Sequence, residues 1–348
     1  MEWTFYSHKT VPKDAVAIWQ NINRDLAGGH PAFEHKFVEL LTKYFGDGNE
    51  LIGLCADDGR YIAGALVKPL GYGIWTVFVP GQACLCSFVM ARKVDVEQVM
   101  TSLFNALPGY CWLLKIPKLD PLFQHVSELG NLGSADTAVF GTTFSVSLER
   151  DFDDYWASRS KGLRHQLRRC IRDIEKNGLK MDLRFYTSPE HIEKGVAVHG
   201  LLESSGWKGA VGTAIRTDNE QGAFYSELLK DYAHSGGAVI AQLFLNDEPA
   251  ASLLCIARNG MIIVLKTAFQ QRFAELAPGR LIDYLFLKQC SRKGDFNVVE
   301  MYTKASKEDL RWAMKTREMY DINLYRFKFA EVVARVTQKL RQRFRKTG

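Results

Sequence analysis

What the 348-residue chain lacks narrows its function first. No apolar run is long enough to cross a bilayer, so no transmembrane helix is expected. The first residues, MEWTFYSHKTVPKD, have neither a basic start nor an apolar core, so no secretory signal is expected. Cysteines at 55, 84, 86, 111, 170, 255 and 290 are odd in number and mostly lie inside apolar runs. That pattern points to reduced, buried thiols and a cytoplasmic setting rather than a disulfide framework. Cys84 and Cys86 alternate and should share one strand face, yet no second pair or histidine cluster completes a site, so no metal is expected. There is no zinc finger and no RNA-binding aromatic signature, and the net charge is only +6, which argues against nucleic acid as a partner. The remainder, 47% hydrophobic and 24% charged, is ordinary for a globular protein, and the length allows two domains with a full core each.

The most informative stretch runs from Met261 to Tyr302. An apolar strand (261–269) leads through a connector ending in Ala277-Pro278-Gly279-Arg280 into a helix (281–294), and a second β-rich run follows at 297–303. A helix entered straight from a Pro-Gly turn presents unpaired N–H groups and the positive end of its dipole, which suits a phosphate. Gly279 lets a ligand approach the backbone, and Arg280 adds a charge in the first turn. Turn chemistry alone leaves open a helix start with no ligand. Upstream, 238–245 and 250–258 read as a hairpin about Asn246-Asp247-Glu248-Pro249, and Asn259-Gly260 turns the chain into 261–269.

The N-terminal part reads in a similar order. A β-like segment at 3–8 precedes helices at 13–27 and 31–46, then a hairpin at 50–70 about Asp57-Asp58-Gly59. Strand-like segments at 73–80 and 84–91, a helix at 94–107, a strand at 110–117, a short helix near 121–129 and a strand at 142–149 complete it. The chain before the 94–107 helix, ARKVDVEQ, has no Pro-Gly or glycine-rich turn, so one phosphate cradle is expected, in the C-terminal part.

Three antiparallel strands, a phosphate-type turn, a helix and a further strand resemble the core of a GNAT acyltransferase. The basic helix RSKGLRHQLRRCIRDIEKNG (159–178), ESSGWKGAVGTAI (203–215), the polar hairpin turn, FAELAPGRLIDYLF (273–286) and EMYTKASKEDLRWAMKTREMYDINLYRF (300–327) make the likeness more specific. They resemble the double-GNAT family that includes the CelD-type cellulose-biosynthesis acetyltransferases, distant relatives of the Fem peptidoglycan aminoacyltransferases. Two positions depart from that pattern: Gln270 stands where an acidic residue is frequent, and Ala277 precedes Pro-Gly where serine is favoured. The resemblance implies an α/β fold of tandem GNAT-like domains, with mixed central sheets flanked by helices. Residues 1–150 would form an N-terminal GNAT-like domain without a cofactor cradle, 151–328 the catalytic domain, and 329–348 a basic amphipathic helix. It also implies a coenzyme A thioester, acetyl-CoA or another acyl-CoA, as donor, and an amine as acceptor.

In such a site Leu265, Lys266 and Thr267 lie on the strand whose backbone N–H holds the thioester carbonyl, and Ala277, Pro278, Gly279, Arg280 and Leu281 form the pyrophosphate turn. Glu300 and Tyr302 share a strand face, as a candidate base and a candidate acid. Glu203 is a second candidate base, and Lys208 could hold an anionic group or steady charge developing on the thioester oxygen. Trp207, Trp312 and Tyr325 are candidates for the acceptor side. Each has a plainer reading: a structural strand pair, a Trp-anchored loop, core aromatics.

Two basic segments remain. In the helix at 159–178, Leu163, Leu167, Cys170, Ile171 and Ile174 make an apolar stripe beside a ridge of Arg164, Arg168 and Arg172. It reads as a packed helix whose charged edge is solvated or meets an anionic ligand. The 329–348 helix could pack on its domain, pair with another subunit or lie on an anionic bilayer, making the protein peripheral at the membrane's inner face. Beside acyl-CoA-dependent N-acyl transfer, two alternatives stay open: a Fem-like aminoacyltransferase using aminoacyl-tRNA, and a catalytically silent regulatory or assembly protein of a cell-envelope system.

Overall fold

The computed structural model describes residues 1–124, 135–149, 151–206, 209 and 211–327. In the first half, β1 (Glu2–Ser7) precedes helices α1 (Lys13–Ala27) and α2 (His35–Phe45). Then come β2 (Leu51–Asp57), β3 (Arg60–Gly71), β4 (Ile74–Val77), β5 (Phe88–Met90), α3 (Val96–Ala106), β6 (Leu113–Leu119), α4 (Pro121–Gln124) and β7 (Ala135–Ser147). The second half holds α5 (Phe152–Ser158), α6 (Lys161–Lys176), β8 (Met181–Tyr186), α7 (Pro189–Ser204) and α8 (Glu220–His234). After these follow β9 (Ala238–Leu245), β10 (Glu248–Arg258), β11 (Met261–Phe269), α9 (Pro278–Lys293), β12 (Val298–Met301) and β13 (Lys315–Tyr325).

Local chemistry explains many of these boundaries. The β2–β3, β9–β10 and β10–β11 hairpins turn on Asp58-Gly59, Asn246-Asp247 and Asn259-Gly260, each pair with both φ angles positive, as tight hairpin turns that match the strand twist require. Helix α6 starts at Ser160, whose hydroxyl accepts from the Leu163 N–H, and buries Leu163, Leu167, Cys170 and Ile174 while Arg168, Arg169 and Arg172 stay exposed. Of the helix expected near 121–129, the described part is the single turn Pro121–Gln124. Between β12 and β13 stands a 3-10 turn, Asp309–Arg311. Strand β13, from Lys315, has a hydrogen-bonded partner on either side. The 329–348 helix lies outside the described residues.

The thirteen strands of the described residues form one mixed sheet, in the order β1-β2-β3-β4-β6-β13-β7-β12-β11-β10-β9-β8, with β5 paired to β3 off that path. The order is symmetric about its centre. The parallel pair β4/β6 in one half corresponds to the parallel pair β11/β12 in the other. Each half also completes the other's sheet: β7 pairs with β12, and β13 pairs with β6. The two exchanged strands then pair with one another across the middle.

Helices cover both faces. On one, α1 and α2 of the first half and α7 and α8 of the second share a core that includes Trp19, Phe33, Phe37, Phe224, Tyr225, Ile240 and Ile263. Phe37 and Phe224 meet across the halves at 6.2 Å, and the buried Tyr232 hydroxyl donates to the Pro31 carbonyl at 2.7 Å. On the other face α5, α6 and α9 pack over the second half and α3 over the first. The sheet and the shared core put the middle of the protein, where β12, β7 and β13 run side by side, beyond the reach of either half alone.

Candidate functional site

β11 and β12 run parallel and in register only from Met261/Val298 to Ile263/Glu300. β11 then continues to Phe269 while β12 ends at Met301, so the pair opens into a fork. On its other side β11 carries a bulge: Cys255 faces Val264 and Leu254 faces Lys266, which leaves Leu265 without a partner in the register. A bulged residue takes its backbone groups out of the ladder and re-aims the strand. An amide released at the fork is the kind of donor that can hold a carbonyl oxygen.

The far end of β11 leads through a 3-10 turn, Gln271–Leu276, to Ala277, which adopts the left-handed conformation, and into α9. No side chain caps α9; Pro278 opens it, and a Cβ added at Gly279 would meet nothing closer than Phe269 at 4.0 Å. The first turn is therefore open at Gly279, and neither a side-chain cap nor an acidic residue of that turn offsets its dipole. Arg280 stands beside it, partly exposed, with Glu308 at 3.5 Å. Leu281 points the other way into the core.

The corresponding place in the first half is built differently. There β4 does not run on into a helix; the chain first passes through residues 78–87 and β5. That loop lies against β6 and α4, held by the Lys118 ammonium on the Ala83 carbonyl (2.9 Å) and by the Gln124 amide on Cys86 Sγ (3.1 Å). Helix α3 begins with its own carboxylate cap, Asp95, accepting from the Gln98 N–H at 3.0 Å. An anion arriving there would displace a charge of its own sign.

On the face of β12 away from α9, Glu300 and Tyr302 enter a buried polar cluster. Arg317, on β13, holds Asp120 with two nitrogens (Nε–Oδ1 2.8 Å, Nη2–Oδ2 2.6 Å) and also donates to Glu300 Oε2 at 2.8 Å. The same Nη2 lies 3.2 Å from Tyr302 Oη, and His30 Nε2 lies 2.9 Å from that oxygen. Burial pushes the Glu300 carboxyl up to about 7, against the opposing charge of Arg317. Burial also raises the Tyr302 phenol well above its ordinary value and holds His30 down at about 3. Near neutral pH the cluster thus has a charged arginine, a neutral histidine, a protonated tyrosine and a Glu300 poised between its two forms. One buried carboxyl near neutrality beside a protonated phenol is a pairing suited to proton transfer.

The other expected residues fall in several places. Lys266 sits just past the bulge with its ammonium over the Tyr225 ring at 5.6 Å, and Thr267 is exposed. Glu203, at the end of α7, is buried and accepts the Ile215 N–H at 2.8 Å, which ties down the loop between them. Trp207 and Lys208 lie outside the described residues; Ser205, just before them, accepts with its hydroxyl the Gln271 N–H at the start of the 3-10 turn after β11. Trp312 is buried on the α9 side of the sheet against Trp156. Tyr325 is buried beside Leu113, eight residues along β13 from Arg317, roughly 26 Å at an ordinary strand rise. The structure therefore gathers Glu300 and Tyr302 and brings neither Trp312 nor Tyr325 to their face. Sequence reasoning did not assign His30, Asp120 or Arg317 as the partners of that pair. None carries a local motif, and His30 and Asp120 come from the opposite half of the chain.

Comparison with known proteins agrees with this geometry. Residues 161–310, somewhat less than half of the chain, match the family model described as the acetyltransferase (GNAT) domain. No curated protein matches in sequence. Among solved structures, FemX is similar over 95% of this chain and 98% of its own, at 11% identity and a TM-score of 0.58. The structure of L-PGS from Bacillus licheniformis is similar over 87% of this chain and 96% of its own, at 14% identity and a TM-score of 0.52. A tandem GNAT protein from the clavulanic acid biosynthesis pathway aligns over 92% and 98%, at 12% identity and a TM-score of 0.51. The fold is a tandem GNAT-like α/β architecture, an acyltransferase fold, and the family match places a GNAT domain within its second half. Among the described residues no group of three or more His, Cys, Asp and Glu could hold a metal ion, and no helix is long and apolar enough to cross a membrane.

Proposed function

We propose that this protein is an acyl-CoA-dependent N-acyltransferase with one donor site, in the second half, and an amine acceptor that meets the donor at the β11/β12 fork. The observation that carries the reading is the continuity of the bulged, forked β11 with the uncapped first turn of α9. A thioester lying along that path would set its pyrophosphate on residues 277–281 and its carbonyl near the Leu265–Thr267 backbone. The two halves then serve as unequal GNAT-like units, with the Asp95 cap and the 78–87 loop closing the equivalent places in the first.

In this reading the amine nitrogen attacks the thioester carbonyl carbon and the carbon–sulfur bond breaks. The nitrogen's proton passes to the Glu300 carboxylate, which is available above pH 7, and Tyr302 supplies a proton to the departing thiolate. Glu203, at the end of α7, anchors the acceptor side by holding the Ile215 N–H. The acyl group is acetyl or another short chain, and the amine belongs to a sugar, a peptide or a small metabolite. The likeness to CelD-type acetyltransferases points to surface-polysaccharide synthesis. A second reading, an aminoacyl-tRNA donor, draws on the exposed arginines of α6 and on the similarity to FemX.

Gly279→Asp tests the donor site. The added side chain has room, so the variant should fold, but its carboxylate would face the donor's phosphates. Calorimetry should show acetyl-CoA binding weakened by at least about tenfold, roughly 1.4 kcal/mol, with an unchanged circular dichroism spectrum. Equal affinity in the two proteins would refute the cradle, and a native protein that ignores acetyl-CoA would refute the donor.

A further inference from the structure

Tyr302 Oη has two donors around it and, among the described residues, no acceptor for its own proton. The direction of the His30 contact follows from the ring's other nitrogen. His30 Nδ1 accepts the Ala32 N–H at 3.2 Å. A neutral imidazole has one N–H, so with Nδ1 accepting, the proton is on Nε2 and His30 donates to the phenol oxygen. The ring is completely buried and wedged between Phe33 and Phe123, with centroids 4.7 and 4.5 Å away, so it cannot turn over without repacking the core between the halves. Arg317 Nη2 shares its hydrogens mainly with the two nearer carboxylates, but its positive charge at 3.2 Å also keeps the phenol proton away. The O–H bond of Tyr302 is thereby turned away from His30 and Arg317.

We propose that His30, supplied by the first half of the chain, is a positioning residue for the acid function of Tyr302: its Nε2–H occupies the phenol oxygen and presents the phenol proton to the departing thiolate. This rests on the acyl-transfer reading above, and it assigns the first half a role in the chemistry of the second half's site. Besides His30, the charged or titratable groups that act most strongly on Tyr302 are Asp120, Glu300, Arg317 and Cys84, and none of them is on the short segment that carries His30. Removing His30 should therefore change the phenol's orientation and leave the Glu300–Arg317–Asp120 bonds in place.

The test is a double-mutant cycle on coenzyme A release from acetyl-CoA, with hydroxylamine as the probe amine. Tyr302→Phe should lower turnover by on the order of 100-fold. His30→Leu should lower it about tenfold in the Tyr302 protein and not at all in the Tyr302→Phe protein, because groups acting as one unit are not additive. His30→Gln, which keeps a donor, should recover part of the loss, and the KM for acetyl-CoA should not move. An equal loss from His30→Leu in both backgrounds would show a structural role only and overturn the proposal. Full turnover in Tyr302→Phe would remove the acid itself and overturn it too, while loss in Tyr302→Phe without coupling to His30 would leave the acyl-transfer reading standing and this proposal refuted. A second measurement needs no acceptor. In protein labelled with 15N-histidine, His30 should show a protonated Nε2 and a bare Nδ1 from pH 5 to 8, with the Nε2–H signal shifted by Tyr302→Phe. The opposite tautomer, or titration in that range, would overturn the proposal whatever the activity.

Discussion

Replacing Arg317 with methionine should be among the most destabilising single changes at the centre of the sheet, and the structure says which group bears the cost. The guanidinium is 13% exposed, and it serves two carboxylates that are 0% and 2% exposed, Asp120 and Glu300. Methionine keeps much of the side-chain volume and removes every donor. Stranding one member of a buried ion pair costs about 3–5 kcal/mol. Glu300 escapes most of that cost: burial already raises its pKa to about 7, Arg317 opposes the rise, and without the arginine it would simply keep its proton at pH 7. Asp120 bears the loss, softened by the Leu122 N–H, which still donates to its Oδ1 at 2.9 Å. The lower end, about 3 kcal/mol, is therefore expected. Adding Asp120→Asn to Arg317→Met removes the stranded charge and should restore at least half of it. Urea denaturation at pH 7, followed by fluorescence and circular dichroism together, gives the midpoints and slopes that check this. A loss under about 1 kcal/mol for Arg317→Met, or strictly additive effects in the double variant, would refute the assignment of the cost to a stranded carboxylate.

Asp283, on α9, borders a cavity of about 30 Å³ lined by Phe144, Leu253, Val264, Phe286 and Val299, and burial together with the charge of Asp309 lifts its carboxyl to about 7. Because the native carboxyl binds its proton more tightly than the unfolded one, the group costs nothing at pH below about 4, increasingly destabilises the fold up to pH 7, and holds that cost above it. Asp283→Asn should thus gain stability over the native chain by roughly 1–3 kcal/mol at pH 8 and much less at pH 5; an equal gain at both pH values in melting experiments would refute it. Truncation after Phe329 removes the basic segment read as an amphipathic helix. The full chain should sediment with anionic vesicles at low salt and the truncated chain should not, at about 1 kcal/mol per basic residue near the surface. Retention of binding after truncation, or none before it, would refute the membrane reading.

The features legible in the sequence are those whose causes lie within a few residues. Asp58-Gly59, Asn246-Asp247 and Asn259-Gly260 turn hairpins because residues of that kind accept positive φ, whatever surrounds them. Pro278-Gly279 opens a helix without a capping side chain, and the stripe from Leu163 to Ile174 finds the core because helical periodicity puts those residues on one face. Glu300 and Tyr302 alternate with Val299 and Met301, so their common face could be read from the strand period alone. The sequence could not say what that face meets. Arg317 approaches Glu300 because β13 crosses to pair with β7 and β6, a choice between strands of similar apolar pattern that only the closed sheet resolves. The bulge at Leu265 exists only relative to its neighbour β10. His30 and Asp120 reach the cluster across a core shared by both halves, and it is that burial, a property of the assembled fold, that holds His30 neutral and keeps a proton within reach of Glu300.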